Sequence, residues 1–246
     1  MTATLRAPAN DILNRVAAEV GLEPIADPYG SSKQEFKQMT YLLNVAGEEL
    51  SQLYQWEFLN KQHNIVTQSG DSGDYPLPDD YLYLTNQTAW ERSQNVPVFG
   101  PLSAQEWQAL LGRDLVTETI YPSFRIADGL FKLFPFPPPV GLDIYFEYVS
   151  RCWVQDSTDP SQCQDRVKTG ADTPLFDRTL LSRYLKVKFL EAKGLDTAKA
   201  QADLNQMFDS LGSHDKGAPV LSAGRGCSGY PYLDGFWSVP DSGYGR

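Results

Sequence analysis

The chain of 246 residues is poor in the side chains that most often carry chemistry, with two histidines, three cysteines and three methionines. His63 and His214 have no neighbouring Ser, Cys or Asp arrangement of the kind a nucleophilic triad needs, so acyl-transfer catalysis lacks its usual base. Cys152, Cys163 and Cys227 are odd in number and show no metal-ligand spacing. Idle thiols are their expected state in a reducing compartment, with a Cys152–Cys163 bridge across one loop as the alternative. Long apolar runs are scarce too: the longest, Leu130 to Val140, is broken by Pro135, Pro137, Pro138 and Pro139, and nothing reads as a membrane span. The opening MTATLRAPAND shows no basic stretch leading into an apolar core, so a secretory signal is not read and cytoplasmic synthesis is expected. The glycines of SGDSGD and GRGCSG do not sit between a strand and a Lys-bearing helix, which removes a phosphate loop. No cofactor and no metal is expected.

Positive charge is the next shortage, 21 Lys and Arg against 31 Asp and Glu. The deficit is concentrated in residues 61–165, with 6 basic and 14 acidic side chains, whereas residues 166–215 hold 8 and 7 and residues 216–246 hold 3 and 2. Such a surface repels nucleic-acid phosphates, so gripping DNA by neutralisation is excluded, although surrounding it is not.

What the chain does have is two kinds of periodicity. Ile12, Leu13, Val16, Ala17 and Val20 make one helical face ended by Gly21. A capping box Ser32-x-x-Glu35 is expected to open a longer helix with the stripe Met39, Leu42, Leu43, Ala46, Leu50, Leu53 and Tyr54, ending near Trp56 to Phe58. From Gln62 alternation takes over. HNIVTQ reads as a strand, SGDSGD as a turn, and YPLPDDYLYL as a bend before a strand in which Tyr81 and Tyr83 face opposite to Leu82 and Leu84, continued by Thr88 to Ser93. A second capping box, Ser103-x-x-Glu106, starts a short helix with Trp107, Leu110 and Leu111, ended by Gly112. SFRIADG and LFKLFPF form a hairpin around Asp128-Gly129, followed by the strand LDIYFEYVSRCWV.

Helix returns at Thr173-Pro174, read as a cap followed by proline in the first turn, with Phe176, Leu180, Leu181, Tyr184, Leu185 and Phe189 on its apolar face and Gly194 at its end. A last helix carries Ala200, Leu204, Met207, Phe208 and Leu211 up to Gly212. Two helices before the sheet and two after it need a common partner surface. The expected fold is therefore α+β: a helical bundle formed by residues 1–60 and 166–215, a small antiparallel β-rich lobe inserted at 61–165, and an extended arm over 216–246. The arm is too glycine-rich to fold alone and too aromatic for a solvated linker. Tyr230, Tyr232, Leu233, Phe236, Trp237, Val239 and Tyr244 have no helical or strand repeat of their own, which suits a segment whose apolar lining belongs to another molecule.

In this order of elements the chain resembles the head-to-tail adaptors of tailed phages, nearest to tail tubular protein A and the gatekeeper adaptors of short-tailed phages. The likeness covers most of residues 10–215. It rests on DILNRVAAEVGLEPI followed by a long helix, QWEF at the close of that helix, the GDYPLPDDYL entry into the sheet, and a W-x-x-L helix after a P-x-x-G-P turn. It implies a structural virion protein of the tail or neck, not an enzyme. The expected assembly is a homo-oligomeric ring of about twelve copies between the portal protein and the tail nozzle or tube, with genomic DNA passing without specific binding and no membrane partner. The arm would climb along the portal and the β lobe would meet the next tail component. Twelve copies would carry about −120 formal charge, suited to a lumen through which DNA slides.

Glu48, Glu49, Asp79 and Asp80 are candidate lumen carboxylates because they come in adjacent pairs, against the plainer alternative of solvated helix ends and turns. Arg178, Arg183, Lys186 and Lys188 give the third long helix a basic row, with either intramolecular ion pairs or an acidic neighbour as its purpose. Two other functions compete. Tyr81, Tyr83, Trp90, Tyr145, Tyr148 and Trp153 would serve a carbohydrate-binding tail module if they faced solvent. The acidic pairs would serve a peptidoglycan-hydrolase side activity, although adjacent residues rarely supply both carboxylates of such a site.

Overall fold

The computed structural model describes residues 5–112, 122–159 and 161–215, with side chains to Leu211, and over these residues the chain is α+β as expected. Its helices are α1 (Ala9–Glu19), α2 (Gln34–Leu53), α3 (Ala104–Gly112), α4 (Arg178–Ala192) and α5 (Ala198–Asp215). Its strands are β1 (Asn60–Val66), β2 (Asp74–Pro76), β3 (Tyr81–Leu84), β4 (Trp90–Glu91), β5 (Val96–Pro97), β6 (Ser123–Ala127), β7 (Leu130–Phe134), β8 (Asp143–Ser150), β9 (Val154–Gln155), β10 (Cys163–Gln164) and β11 (Thr173–Pro174). The largest sheet runs β1-β8-β4-β5, with β3 also paired to β8; two smaller sheets run β2-β7-β6 and β10-β9-β11, and every ladder is antiparallel.

Helix α4 touches α1, α2 and α5, which explains why Leu180, Leu181, Ser182, Leu185, Val187 and Phe189 bury more than one stripe of it. Ile12, Leu13, Val16 and Ala17 of α1 and Phe36, Met39, Leu43, Ala46 and Leu50 of α2 complete this core. Trp56, 3% exposed, closes its end in an aromatic group with Tyr54, Phe58, Phe176 and Phe208, and its Nε1 donates to the Leu50 carbonyl at 2.8 Å. A second buried cluster belongs to the sheets. Phe124, Phe131 and Phe146 stack in series, with centroids 4.5 and 5.1 Å apart, among Ile65, Leu133, Ile144 and Tyr148. Strand β8 serves both clusters, since Ile144, Phe146 and Tyr148 enter the second while Val149 enters the first.

Several local expectations hold. Gly21 and Gly194 follow α1 and α4 with φ +80 and +68, the left-handed region that glycine adopts freely. Ser103 and Glu106 form the reciprocal capping box, 2.8 and 3.2 Å, with Trp107 buried behind it. The β6–β7 hairpin turns at Asp128 (φ +57) and Gly129 (φ +73), as a two-residue primed turn requires.

Others are corrected. Helix α2 begins at Gln34, and neither Ser32 nor the N-cap Lys33 caps it through a side chain; Ser31 Oγ instead accepts the Lys33 N–H, a local turn that competes with the cap. It ends at Leu53, because Tyr54 is extended and Trp56 reaches back to a carbonyl of the last turn. Leu53 is consequently exposed rather than part of the stripe. A register shift between Tyr81 and Tyr83 breaks the alternation of β3, so Tyr81 and Leu84 pack on the sheet cluster and Leu82 and Tyr83 on the helical one. Thr88 to Ser93 does not prolong β3: the chain turns at Gln87 (φ +61) and β4 is a separate strand. Thr173-Pro174 is a strand paired with β9, and α4 starts four residues later under Asp177, whose Oδ1 accepts the Thr179 N–H at 2.7 Å. Helix α5 runs through Gly212 to Asp215, an interior glycine costing only about 1 kcal/mol. Cys152 and Cys163 are not idle; they are joined by a disulfide with Cα atoms 5.3 Å apart.

Candidate interaction surfaces

The seven arm residues of the expected docking set, Tyr230, Tyr232, Leu233, Phe236, Trp237, Val239 and Tyr244, lie outside the described residues, as do Cys227 and the side chain of His214. The other candidates are described, and the structure divides each acidic pair. Glu48 is exposed at the surface of α2, whereas Glu49 accepts the Tyr184 hydroxyl and the Lys188 ammonium, 2.7 Å away. Burial works to raise the Glu49 pKa, but the hydrogen bonds from Lys188 and Tyr184 outweigh it and hold the carboxyl below its ordinary range. Asp79 is likewise exposed, and Asp80 is not free: it accepts the Tyr148 hydroxyl at 2.8 Å, the Ser150 hydroxyl at 2.6 Å and the Lys61 ammonium at 2.6 Å. Two of the four lumen candidates are thus internal ties, one joining α2 to α4 and one joining the loop before β3 to β1 and β8.

Three of the four cations in the basic row of α4 are engaged within their own chain, two of them by carboxylates. Lys188 pairs with Glu49, Lys186 pairs with Glu19 of α1 at 3.0 Å, and Arg183 donates to the Asp203 carbonyl of α5 at 2.7 Å. Arg178 alone of the four is exposed, beside Asp11, Arg15 and Ser182. Four of the six strand aromatics are engaged within the chain. Trp153 is fully buried and Tyr148 is 4% exposed; Tyr81 stacks on Tyr148, and the Arg92 guanidinium covers the Tyr145 ring at 3.7 Å. His63 lies half-buried against Phe146, and burial first, opposed by the Asp80 charge, lowers its pKa.

An open groove beside Asp80 is lined by Lys61, Tyr148, Arg151, Cys163, Asp165 and Lys168, among others. Asp80, Cys152 and Cys163 bring potential metal-ligand atoms within 4.8 Å of one another. They do not fit a cation: the two sulfurs are bonded to each other, and the Lys61 ammonium stands 2.6 Å from Asp80 and 3.4 Å from the Cys163 sulfur, where an ion would sit. The groove has the geometry of a structural tie between β1, β8 and β10.

Besides Asp177, two fully buried carboxylates escape sequence reasoning. Glu91, fully buried on β4, accepts the N–H groups of Ser93 (2.9 Å), Gln94 (2.6 Å) and Asp143 (3.1 Å). Asp172, also fully buried, accepts the N–H groups of Ser157, Lys168 and Thr169 and the Thr169 hydroxyl. For both, desolvation pushes the pKa up and these donors pull it below the ordinary value. The only sequence signal was Thr169 three residues before Asp172, a side-chain turn pattern that many solvated loops share.

Among known proteins, the family model described as SU10 adaptor protein matches residues 7–224 of the chain. A search of curated proteins finds no match. The matched span takes in every described helix and strand and stops short of the aromatic residues of the arm.

Proposed function

Because the chain belongs to the SU10 adaptor protein family, we propose that it forms a ring between the portal and the tail nozzle or tube of a tailed phage, around a channel for DNA. A family of adaptors is structural rather than enzymatic, and its members meet portal and tail components of the virion. The match over residues 7–224 is the observation that carries the proposal. The internal use of Trp153, Tyr148 and Tyr81 weighs against a sugar-binding face, because a ring packed in a core cannot stack on a ligand.

In this proposal residues 1–60 and 166–215 act as one helical bundle turned to the portal, and the sheets of 61–165 act as the lobe turned to the tail. Tyr230, Tyr232, Leu233, Phe236, Trp237, Val239 and Tyr244 dock on the upstream ring. The net acidity of 61–165 keeps DNA phosphates from adhering, with Glu48 and Asp79 as the members of the acidic pairs left exposed to do so.

Mass measurement of the purified protein, alone and with its candidate portal, tests the proposal. A closed multimer on the portal is the expected result. A chain that stays monomeric and unbound with the portal present overturns it.

A further inference from the structure

The two sulfurs of the disulfide have different surroundings. Cys152 is buried, whereas Cys163 lies at the surface in the open groove beside Asp80. The Lys61 ammonium stands 3.4 Å from the Cys163 sulfur, and the Asp80 carboxylate is farther off at 4.0 Å. Elsewhere on the groove wall Arg151 and Lys168 offset Asp79 and Asp165, so the closest charge decides the local balance. A thiolate at Cys163 is therefore stabilised by its neighbour, while one at buried Cys152 loses hydration.

What the bond holds is small. Strand β10 has two residues and, among the described residues, pairs only with β9, at the edge of its three-stranded sheet, where Gln164 also donates to Asp156. A pairing this short is marginal without a staple. Val167 is fixed independently: its N–H donates to Asn44 of α2 at 2.8 Å, and its carbonyl accepts the Tyr29 hydroxyl at 2.9 Å. The disulfide, between cysteines 11 positions apart, thus governs the hairpin from β9 to β10 and one wall of the groove. Trp153, Val154 and Val167, at the margins of this hairpin, belong to the helical core and do not need the bond.

We propose that Cys163 is a thiol–disulfide exchange site, through which a low-molecular-weight disulfide of the glutathione class closes this bond and the corresponding thiol reopens it. In closing, the Cys163 thiolate attacks one sulfur of the small disulfide, forming a mixed disulfide and releasing one small thiolate. Cys152 then gives its proton to solvent, attacks the Cys163 sulfur and expels the second. Two protein thiols are oxidised, one small disulfide is reduced, and the two released thiolates take up the two protons. Opening retraces these steps: an external thiolate reaches the exposed Cys163 sulfur, and Cys152 is the leaving group. That direction is the slower one, because the leaving sulfur is buried while the attacking sulfur of closure is exposed and beside an ammonium. The pair is a latch that closes readily and opens slowly, suited to a chain made among reducing thiols and later carried outside them.

The full-length chain, reduced and then exposed to glutathione disulfide, tests this by peptide mass after acid quenching. The wild-type product is expected to carry the Cys152–Cys163 bond. Cys152→Ala should trap glutathione on Cys163, and Cys163→Ala should leave Cys152 modified about tenfold less over the same interval. Lys61→Met should slow closure by about tenfold, and Lys61→Arg should restore it. Reduction of the wild type should speed amide exchange over 156–164 and leave α2 and α4 unchanged. Glutathione found equally on either cysteine, or first on Cys152, overturns the assignment. So does closure at an unaltered rate in a Lys61→Met chain with wild-type circular dichroism, and so does a dithiol that persists in excess glutathione disulfide. Should Lys61→Met fail to fold, the trapping on Cys163 against Cys152 still decides. Each measurement is made on the free chain, so its failure leaves the ring reading untouched.

Discussion

At the scale of single residues, Gly47 and Asp80 have the most exacting surroundings. A Cβ on Gly47 would overlap the Trp153 ring, which abuts that turn of α2, and an overpacked core of this kind costs about 1–3 kcal/mol. Gly47→Ala should lower the midpoint of denaturant unfolding by that amount, even though alanine is the better helix former. Asp80 is held by Lys61, Ser150 and Tyr148, and these hydrogen bonds overcome the burial that would otherwise raise its pKa, leaving it below the ordinary carboxylate value. A depressed folded pKa means stability that is present above the unfolded value and lost as pH falls through the folded one. Asp80→Asn should therefore be less stable than wild type at neutral pH, by about 1–3 kcal/mol. The gap should close only below the ordinary carboxylate range. A gap that stays constant down to strongly acid pH, measured by denaturant titration at each pH, would remove the charge from this account.

At the scale of elements, the two helix starts that sequence reasoning misplaced give a direct comparison. Asp177 caps α4 with its carboxylate, so Asp177→Ala should cost about 1 kcal/mol, whereas Ser32→Ala should be close to neutral because Ser32 caps nothing. Thermal melts of both variants check this. The contrast shows what was legible. Helical faces, the Ser103 capping box and the Asp128-Gly129 turn depend on neighbours within four residues, and the sequence displays them. The start of α4 does not: Thr173-Pro174 has the composition of a cap but is captured by β9, almost twenty residues back, and only tertiary pairing decides that. The same holds for the surfaces. Adjacent carboxylates could be seen, but that Glu49 ties α2 to α4 and Asp80 ties β1 to β8 depends on Lys188, Tyr184, Tyr148 and Ser150, distant in the chain. The bulge in β3 reversed two side chains for a similar reason, since one extra residue flips every position beyond it.

At the scale of the whole molecule, the predictions concern assembly. Ending the chain after Asp215 should leave the helical circular dichroism intact and abolish binding to the upstream ring, as seen by co-sedimentation with the portal; a shortened chain that still binds would remove the arm from the proposal. Trp237→Ala in the full chain should weaken that binding by about 2 kcal/mol if the indole fills a pocket, measured by titration calorimetry. Glu48→Gln with Asp79→Asn should leave assembly intact and slow DNA passage in an ejection assay, and unaltered ejection would refute the lumen role of these two. One further feature bears on how force crosses such a particle. Strand β8 feeds Ile144, Phe146 and Tyr148 to one cluster and Val149 to the other, and Asp80 is bonded to its last turn of side chains, at Tyr148 and Ser150. A load applied to the sheets would thus reach the helices along a common backbone, braced at its far end, so in the proposed ring each copy would carry tail movement to the portal as a stiff bracket and not through a swivel.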